Sequence, residues 1–321
     1  MKTITVTVNP SLDRIMVVNY LNVGYHNQAT GETHLAAAGR GMNIGLALHK
    51  LHTDTEAIVL LGQDALSHAY QFLIEQEGFP VNVVRHDSSI RSNIFLKDEG
   101  QHAETVIKVS GASVDEAALA EVGQMLVSRI DEHDFVVLAG SLPSGAPDST
   151  YATYCRQAKE AGARVILYTE GDILREGLAA EPDLVVLTQL QTESYFNFPV
   201  RVAEEVYYVG EKLHEEGAQR VLILLGERRG AVLVTADARY LVEFPDDIDD
   251  VGTRTGTAEA LVAGYLAGRS RQRNVEESLS MGGAAALFTA EQVGQEFGTL
   301  KDVQERIERI AITSVSTAFG E

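Results

Sequence analysis

The chain has 321 residues, enough for one large α/β domain or two smaller ones. Its 46 acidic residues outnumber its 26 lysines and arginines, and the formal charge of -20 argues against nucleic acid as a partner, since phosphate backbones are bound through clustered cations. The sequence contains no run of roughly 18 apolar residues, so no transmembrane helix is expected. The lone Cys155 and the absence of a signal-like apolar N-terminus favour a cytoplasmic protein without disulfides or a cysteine metal cluster.

Apolar runs of strand length alternate with stretches of helical period along the chain. The runs are, in order, TITVTV, EAIVLLG, DFVVLAG, RVILYT, DLVVLT and RVLILLG. Between several of them lie amphipathic stretches such as SHAYQFLIEQEG, and Gly78, Gly162 and Gly217 stand where a helix C-cap is expected. Near-continuous Val/Ile/Leu strands that alternate with helices predict a mostly parallel sheet covered by helices on both faces. From residue 256 onward the chain reads mostly helical.

Two segments, roughly 14–35 and 81–108, break this alternation because they show strand-like patterning without helices between. We expect them to form a small antiparallel sheet that projects from the main domain as a lid. No linker divides the chain, so residues 1–321 are predicted to form a single domain with this lid inserted. Within the second segment Arg91 and Asn93 are two residues apart and share one face of a strand, which either reaches a ligand or faces solvent.

Two loops that follow predicted strands are candidates for ligand contact, because ligands of open parallel sheets gather at the carboxyl ends of the strands. The loop NPSLD holds Asn9 and Asp13, and an aspartate can accept hydrogen bonds from sugar hydroxyls; the alternative is a plain turn with an Asx-type bond. The loop AGSLPSG contains Gly140 and Ser141, where small residues let a ligand approach the backbone; the alternative is a structural turn.

A glycine-rich segment, AAAGRGMNIGLALHKL, is the third candidate. Gly39 and Gly41 flank Arg40, and Asn43 opens an apolar helix. Backbone amides at a helix N-terminus suit an anion, and Arg40 would supply a neutralising charge. The segment matches neither the dinucleotide-binding fingerprint nor the Walker A loop. The alternative is a tight turn with Asn43 as the helix cap.

Four motifs occur in the order of a known family. TVTVNPSLD matches an opening T-x-T-x-N-P-x-x-D pattern, AGRGMN a GGKGxN signature, GSLPSG a G-S-L-P-x-G loop, and GTAEALVAG a closing GAGDxxxAG signature. The chain thereby resembles the phosphofructokinase B branch of the ribokinase-like sugar kinases, in particular the 1-phosphofructokinases and tagatose-6-phosphate kinases. The resemblance implies a ribokinase-like α/β fold. It also implies ATP-dependent, Mg²⁺-assisted phosphorylation of a ketohexose phosphate, such as fructose 1-phosphate, fructose 6-phosphate or tagatose 6-phosphate.

The resemblance assigns residues to the sugar side of the site. Asp13 would hold sugar hydroxyls, Arg91 and Asn93 would clamp the sugar phosphate, and Arg40 replaces a lysine that lies beside the substrate phosphate. The implied substrate-binding residues are Asn9, Asp13, Gly39, Arg40, Gly41, Asn43, Arg91, Asn93, Gly140 and Ser141.

The catalytic side departs from the family pattern. Glu259 stands where the family has the aspartate that takes the proton from the attacking hydroxyl. The preceding Gly256, Thr257 and Ala258 would donate backbone amides to the transferred phosphoryl group at a helix N-terminus. Ala258 replaces a glycine, so a β-carbon stands where the phosphate approaches.

The nucleotide side departs further. The family's D-T-S-G segment reads YTEG, and the carboxylate of Glu170 would repel triphosphate oxygens unless a metal intervenes. The N-x-x-E motif has no clean counterpart in TQLQTE, and TEINxxG becomes TVIKVSG, which places Lys108 where an asparagine is common. The histidines show no spacing of a structural metal site. The implied nucleotide-binding residues are Gln189, Leu225, Gly226 and Gly230.

The sequence leaves two functions open. The first is a ketohexose-phosphate kinase with Glu259 as the base. The second is a kinase-derived binding or regulatory protein that keeps a sugar-phosphate pocket and transfers phosphate poorly or not at all. Family membership favours the first, and the altered GTAE, YTEG and TQLQTE segments favour the second. Lids in this family often pair across a dimer, so the resemblance is compatible with a homodimer through the lid.

Overall fold

The computed structural model describes residues 1–31, 33–226, 230–246, 255–292 and 295–316. Its strands are β1 Thr3–Thr7, β2 Ser11–Val18, β3 His34–Ala38, β4 Thr55–Leu61, β5 Val81–Arg85, β6 Arg91–Asp98, β7 Ala103–Ile107, β8 Phe135–Ala139, β9 Arg164–Tyr168, β10 Leu184–Thr188, β11 Arg220–Leu225, β12 Gly230–Thr235, β13 Ala238–Glu243 and β14 Ala311–Ser316. Its helices are α1 Arg40–Lys50, α2 Ala65–Gln76, α3 Glu116–Val127, α4 Thr150–Glu160, α5 Gly171–Leu178, α6 Gln189–Phe196, α7 Ala203–Glu215, α8 Thr257–Ser270, α9 Val275–Ala290 and α10 Leu300–Gln304. None of the helices in these ranges combines the length and apolar content that crossing a bilayer requires.

The main sheet contains ten strands in the order β14-β13-β12-β11-β10-β9-β8-β1-β4-β5. From β5 to β11 neighbouring strands run parallel. The six apolar runs of the sequence are β1, β4, β8, β9, β10 and β11, which confirms the predicted parallel sheet. The antiparallel strands β12, β13 and β14 extend one edge. The C-terminal region is therefore not helical throughout, because β14 returns to the sheet after α10.

Helices cover both faces of the sheet, as expected from the near-continuous apolar strands. In β8, Val136 and Leu138 belong to the core on one face, and Phe135, Val137 and Ala139 belong to the core on the other. Successive side chains of a strand point to opposite faces, so a strand that is apolar at every position is buried on both.

Helix α1 lies unusually close to β1, because glycines face threonines along the contact. A β-carbon on Gly41 would lie 2.6 Å from the Thr7 hydroxyl oxygen, and one on Gly45 would lie 2.8 Å from that of Thr5. Real β-carbons do not approach other atoms this closely, so larger residues would force the helix away. This packing fixes the first turn of α1 over the carboxyl end of β1.

The lid is the separate sheet β3-β2-β6-β7. Its outer pairs are antiparallel, as predicted for the lid, whereas the central pair β2–β6 runs parallel. Val81–Arg85 was assigned to the lid from its alternating pattern, but it is the edge strand of the main sheet and pairs with β4. The helix α2 connects β4 to this edge strand. Edge strands alternate apolar and polar residues as lid strands do, so the pattern alone did not distinguish them. The lid also begins earlier than residue 14, at Ser11.

Candidate active site

The lid and the loops after β1, β8, β9 and β10 enclose a space that we call the cleft. The strands β1 and β2 are separated by only Val8, Asn9 and Pro10, so the lid starts directly above the carboxyl end of the sheet. The edge strand β7 reaches across to the segment before α8, where the Thr255 hydroxyl donates to Glu104 Oε1 over 3.3 Å. The predicted ligand loops therefore face the lid.

Two helices begin side by side at the cleft. Gly39, with φ of 139°, precedes α1, and Gly256, with φ of 90°, precedes α8. Neither helix has a side-chain cap at this end, and the two helices pack against each other. The first amides of a helix lack internal acceptors, and the helix dipole favours negative charge there. Two such ends together make a strong site for an anion.

Two buried donors at these helix ends have no hydrogen-bond partner in the described part of the chain. They are Arg40 Nη1 and the Thr257 hydroxyl oxygen, the first residues of α1 and α8. Thr257 is only 8% exposed. An unmatched buried donor costs roughly 1–3 kcal/mol of stability. An anion bound between the two helix ends would satisfy both donors.

The rest of the Arg40 guanidinium is held by residues at and just after the end of β9. Its Nη2 atom donates to Glu170 Oε1 over 3.0 Å, and its carbon lies 4.9 Å from the centre of the Tyr168 ring. The other oxygen of Glu170 accepts from Gln191 Nε2 over 3.0 Å. Burial raises the pKa of Glu170, but the Arg40 charge and the Gln191 bond outweigh it, so the net pKa is lowered. Glu170 is thus an ionised partner of Arg40 in this structure.

Glu259 lies in the first turn of α8 and is 8% exposed. Burial raises the pKa of its carboxyl above the ordinary value, and the positive charges of Arg40 and Lys108 only partly oppose that shift. A buried carboxylate with a raised pKa is a better proton acceptor than an exposed one. The geometry therefore sets a potential base beside the two unpartnered donors.

The lid contributes a pair of buried polar side chains. Asp13 Oδ1 accepts from Asn93 Nδ2 over 2.8 Å, and Asn93 Oδ1 accepts from the Val109 amide over 3.2 Å. Both side chains are at most 4% exposed. Burial raises the pKa of Asp13, and the bonds from Ser11 and Asn93 partly counter it. Asp13 keeps a second carboxylate oxygen for which no bond to Asn93 is made.

Arg91, the first residue of β6, contacts Asn9 in the loop after β1. Arg91 donates through Nε and Nη2 to the Asn9 carbonyl oxygen, over 3.3 and 3.0 Å. The Asn9 side-chain amide donates to the Ser141 hydroxyl and to the Leu142 carbonyl, over 3.1 and 3.0 Å. Asn9 thereby joins the loops after β1 and β8. Arg91 is thus a lid cation that contacts the loop after β1.

The remaining predicted sugar-side residues shape the backbone. Gly140 has φ of 104° and its amide donates to the Tyr168 carbonyl over 2.9 Å. Asn43 is 5% exposed within the first turn of α1. The helix begins at Arg40 with Gly39 as its N-cap, so the alternative interpretation of Asn43 as the cap is wrong.

The residues predicted for nucleotide contact lie where β10 and β11 end. Gln189 Oε1 accepts from the Gly226 amide over 2.8 Å, and Gln189 Nε2 donates to the Val200 carbonyl over 2.6 Å. Leu225 ends β11 and Gly230 begins β12 with φ of 115°. A β-carbon on Gly230 would collide with a carbonyl oxygen of β13. The residues 227–229 of LLGERRG and 252–254 before Thr255 lie outside the described residues.

Sequence reasoning did not single out Gln191. Thr188 caps α6 and Gln191 closes the capping box with its own side chain, while its amide also reaches Glu170. The Thr-x-x-Gln spacing in TQLQ is the signal that could have located this turn.

A model of the pfkB family carbohydrate kinases matches residues 7–302. This chain belongs to the pfkB family. Over 311 residues it is 30% identical to the 1-phosphofructokinase of Bacillus subtilis, covering 96% of this chain and 98% of the relative. The 1-phosphofructokinase of Vibrio cholerae is 26% identical over 319 residues and 99% of both chains. The crystal structure of phosphofructokinase-2 from Escherichia coli in complex with substrates and products superposes with a TM-score of 0.87 at 22% identity, covering 96% and 99% of the two chains.

As a pfkB family member the protein is a carbohydrate kinase with the ribokinase-like fold, and its relatives support activity on a sugar phosphate. ATP is the phosphoryl donor expected for such a kinase. Kinases typically use Mg²⁺, which they bind largely through the nucleotide phosphates and water; no group of three or more potential protein ligands is found among the described His, Cys, Asp and Glu side chains. Glu170, on the loop after β9, is bonded at both oxygens by Arg40 and Gln191.

Proposed function

We propose that the protein transfers the γ-phosphoryl group of ATP to a free hydroxyl of a ketohexose phosphate. Fructose 1-phosphate is the first candidate, because the chain is 30% identical to a 1-phosphofructokinase over nearly its whole length. The observation that carries the proposal is the group of Arg40 Nη1, the Thr257 hydroxyl and the buried Glu259 at two adjoining helix N-termini. Phosphoryl transfer needs such donors and a proton acceptor at one point.

The sugar would lie against the lid. The Asp13 carboxylate accepts a hydrogen bond from a sugar hydroxyl, and Asn93 holds that carboxylate in place through the 2.8 Å bond. Arg91, beside the loop after β1, receives the phosphate that the sugar already carries. This arrangement directs the opposite end of the sugar toward Glu259.

The reaction then follows from the positions of these groups. The sugar hydroxyl oxygen attacks the γ-phosphorus of ATP and forms a new P–O bond, while its proton passes to the Glu259 carboxylate. The bond from the γ-phosphorus to the bridging oxygen breaks, and ADP leaves with the electron pair. The amides of α8, the Thr257 hydroxyl and Arg40 stabilise the charge on the transferred group. When bound, Mg²⁺ would neutralise charge on the transferred group, and kinases hold it largely through the nucleotide phosphates and water.

A second function is favoured by one feature of the site. Glu170 already neutralises Arg40, and Ala258 sets a β-carbon in the turn that would receive the phosphate. Both features suit a protein that binds a sugar phosphate without transferring phosphate to it.

An assay of ADP release discriminates the two functions. The protein is incubated with ATP, Mg²⁺ and, in turn, fructose 1-phosphate, fructose 6-phosphate and tagatose 6-phosphate, while calorimetry measures the binding of each sugar and of ATP. Turnover with one sugar that vanishes in Glu259→Ala supports the kinase. Tight sugar-phosphate binding, without turnover and without ATP binding, would leave only the binding function. A large rate gain in Glu259→Asp would show that the longer side chain slows a working site.

We also propose that two copies pair through the lid. The edge strand β7 is exposed along its length, and Ile107 and Val109 are 50% and 51% exposed. Exposed apolar side chains on an open strand edge favour association. Light scattering should give a dimer for the wild type and a monomer for Ile107→Glu; a monomeric wild type would contradict the proposal.

A further inference from the structure

Lys108 differs from the other cations of the cleft because no described side chain is bonded to it. It follows the last residue of β7 and is exposed. It forms no ion pair or hydrogen bond with the described residues, whereas Arg40 is bonded to Glu170 and Arg91 to the Asn9 carbonyl. A lysine that is free beside a site for phosphorylated ligands is available to bind one.

The register of the lid directs Lys108 into the cleft. Asp13 pairs with Asn93 across β2 and β6, and Ile94 pairs with Ile107 across β6 and β7. Continuing the second register by one residue sets Lys108 opposite Asn93. Paired residues on neighbouring strands point to the same face, so Lys108 shares the face on which Asp13 and Asn93 are bonded.

The following residue holds Lys108 in that position. The Val109 amide donates to Asn93 Oδ1 over 3.2 Å, so the chain still runs beside β6 after the strand ends. The backbone of Lys108 is thus held, while its side chain can move. A lysine ammonium group sits on a flexible four-carbon stem, whereas the guanidinium group of arginine is a rigid planar fork.

The charge of Lys108 reaches three carboxylates on three different elements. Burial is the largest influence on the pKa values of Asp13, Glu170 and Glu259, and the positive charge of Lys108 lowers each pKa against it. These residues lie on β2, on the loop after β9 and on α8. The Lys108 ammonium group therefore lies within electrostatic reach of all three elements.

We propose that Lys108 is a lid-borne phosphate ligand that pairs with the non-bridging oxygens of the phosphoryl group as it moves from the nucleotide to the sugar. This inference rests on the proposed kinase function. Arg91 contacts the loop after β1, and its charged neighbours are Asp13 and Arg40, whereas Lys108 also acts on Glu170 and Glu259. The two lid cations thus divide the phosphates: Arg91 takes the one that the sugar brings, and Lys108 takes the one that it receives.

Kinetics of Lys108→Ala test this division. A charge-assisted hydrogen bond corresponds to about 10- to 100-fold in rate, so kcat with fructose 1-phosphate should fall by about that factor while KM for the sugar stays within about twofold. Lys108→Arg should recover most of the loss. The acid limb of the kcat–pH profile should move to higher pH in Lys108→Ala, because removing a nearby positive charge raises the pKa of Glu259 further. Lys301→Ala, which removes one exposed positive charge on α10, is the matched control and should leave kcat unchanged.

Three results would overturn the inference. They are an unchanged kcat in Lys108→Ala, a rise in KM for the sugar with kcat unchanged, or an equal loss in Lys301→Ala. Binding separates this inference from the kinase proposal: by calorimetry Lys108→Ala should weaken fructose 1,6-bisphosphate, which carries both phosphates, and leave fructose 1-phosphate unaffected. A wild type without turnover that still shows this difference would refute the kinase and retain Lys108 as a phosphate ligand. Equal affinities of wild type and variant for the bisphosphate would refute the role of Lys108.

Discussion

The two sides of the cleft use their polar groups in opposite ways. On the lid side Asp13 and Asn93 are bonded to each other and Arg91 is bonded to a carbonyl, so this side is largely satisfied before any ligand arrives. On the α8 side Arg40 Nη1 and the Thr257 hydroxyl are buried without partners in the described structure. A satisfied network holds a rigid shape, and an unsatisfied one stores free energy that a bound anion recovers. Under the proposed function, the lid side would hold the sugar and the α8 side would receive the phosphoryl group.

The largest test of this comparison is Glu259→Gln. Glutamine keeps the size of the side chain and cannot take a proton, so kcat should fall about 10²- to 10⁴-fold with the sugar KM nearly unchanged. The wild-type kcat should also drop on acidification through a pKa above that of an ordinary glutamate, because protonated Glu259 is inactive, and this limb should be absent in the variant. Glu308→Gln, at an exposed position, is the control. Full activity of Glu259→Gln would remove the base from the α8 side.

Asp13→Asn tests the lid side. The new amide oxygen can still accept from Asn93, but the ionised acceptor for the sugar hydroxyl is lost. Hydrogen bonds to charged groups contribute about 1.5–3 kcal/mol, and burial favours the upper part, so kcat/KM should fall on the order of 10²-fold, mainly through KM. Thermal stability should be equal or higher, since a buried carboxylate with a raised pKa is replaced by a neutral group. A fall in kcat alone would mean that the two sides are not separate.

The fold could be predicted from the sequence where its signal is local. Six apolar runs gave the parallel centre, and Gly78, Gly162 and Gly217 have the positive φ expected of helix ends. The hairpin Gly230–Glu243 and Ala311–Ser316 were missed because short edge strands depend on their neighbours more than on their own composition. For the same reason the alternation of Val81–Arg85 was interpreted as part of the lid.

The site, too, could be predicted where its signal is local and not where it depends on distant residues. Glycines, Asp13 and Glu259 are visible as motifs, and the family assignment is confirmed by the match over residues 7–302. The bond of Glu170 to Arg40 was not predicted, and Glu170 was expected only to repel phosphate. The two residues are 130 positions apart, so no sequence motif contains both. Asp13, Asn93 and Lys108 lie side by side because of how β2, β6 and β7 pair. That pairing cannot be read from any one segment of the sequence.

A smaller effect is expected from Thr257→Val, which replaces the unpartnered hydroxyl with a methyl group of the same shape. The free protein should melt at an equal or higher temperature, since a buried donor without a partner destabilises it. The kcat should nevertheless fall about tenfold, the lower end for a bond to a charged acceptor, because the amides of α8 share the same phosphoryl oxygens. Thr257→Ser should keep the rate. Lower stability together with unchanged kcat would show that the hydroxyl serves packing.

The smallest effect is expected from Glu170→Gln. This variant tests whether the lid side and the α8 side act separately. Half of this side chain is exposed, and exposed ion pairs contribute only about 0.2–1 kcal/mol, so screening limits what its removal can change. Without the negative charge Arg40 is free for the triphosphate and the repulsion is gone, so KM for ATP should fall about two- to fivefold with kcat nearly constant. Sugar affinity should not change, because Glu170 does not contact the lid pair. If kcat instead fell steeply, Glu170 would take part in the reaction. Phosphoryl transfer would then depend on the Arg40–Glu170 ion pair and not on the two unpartnered donors.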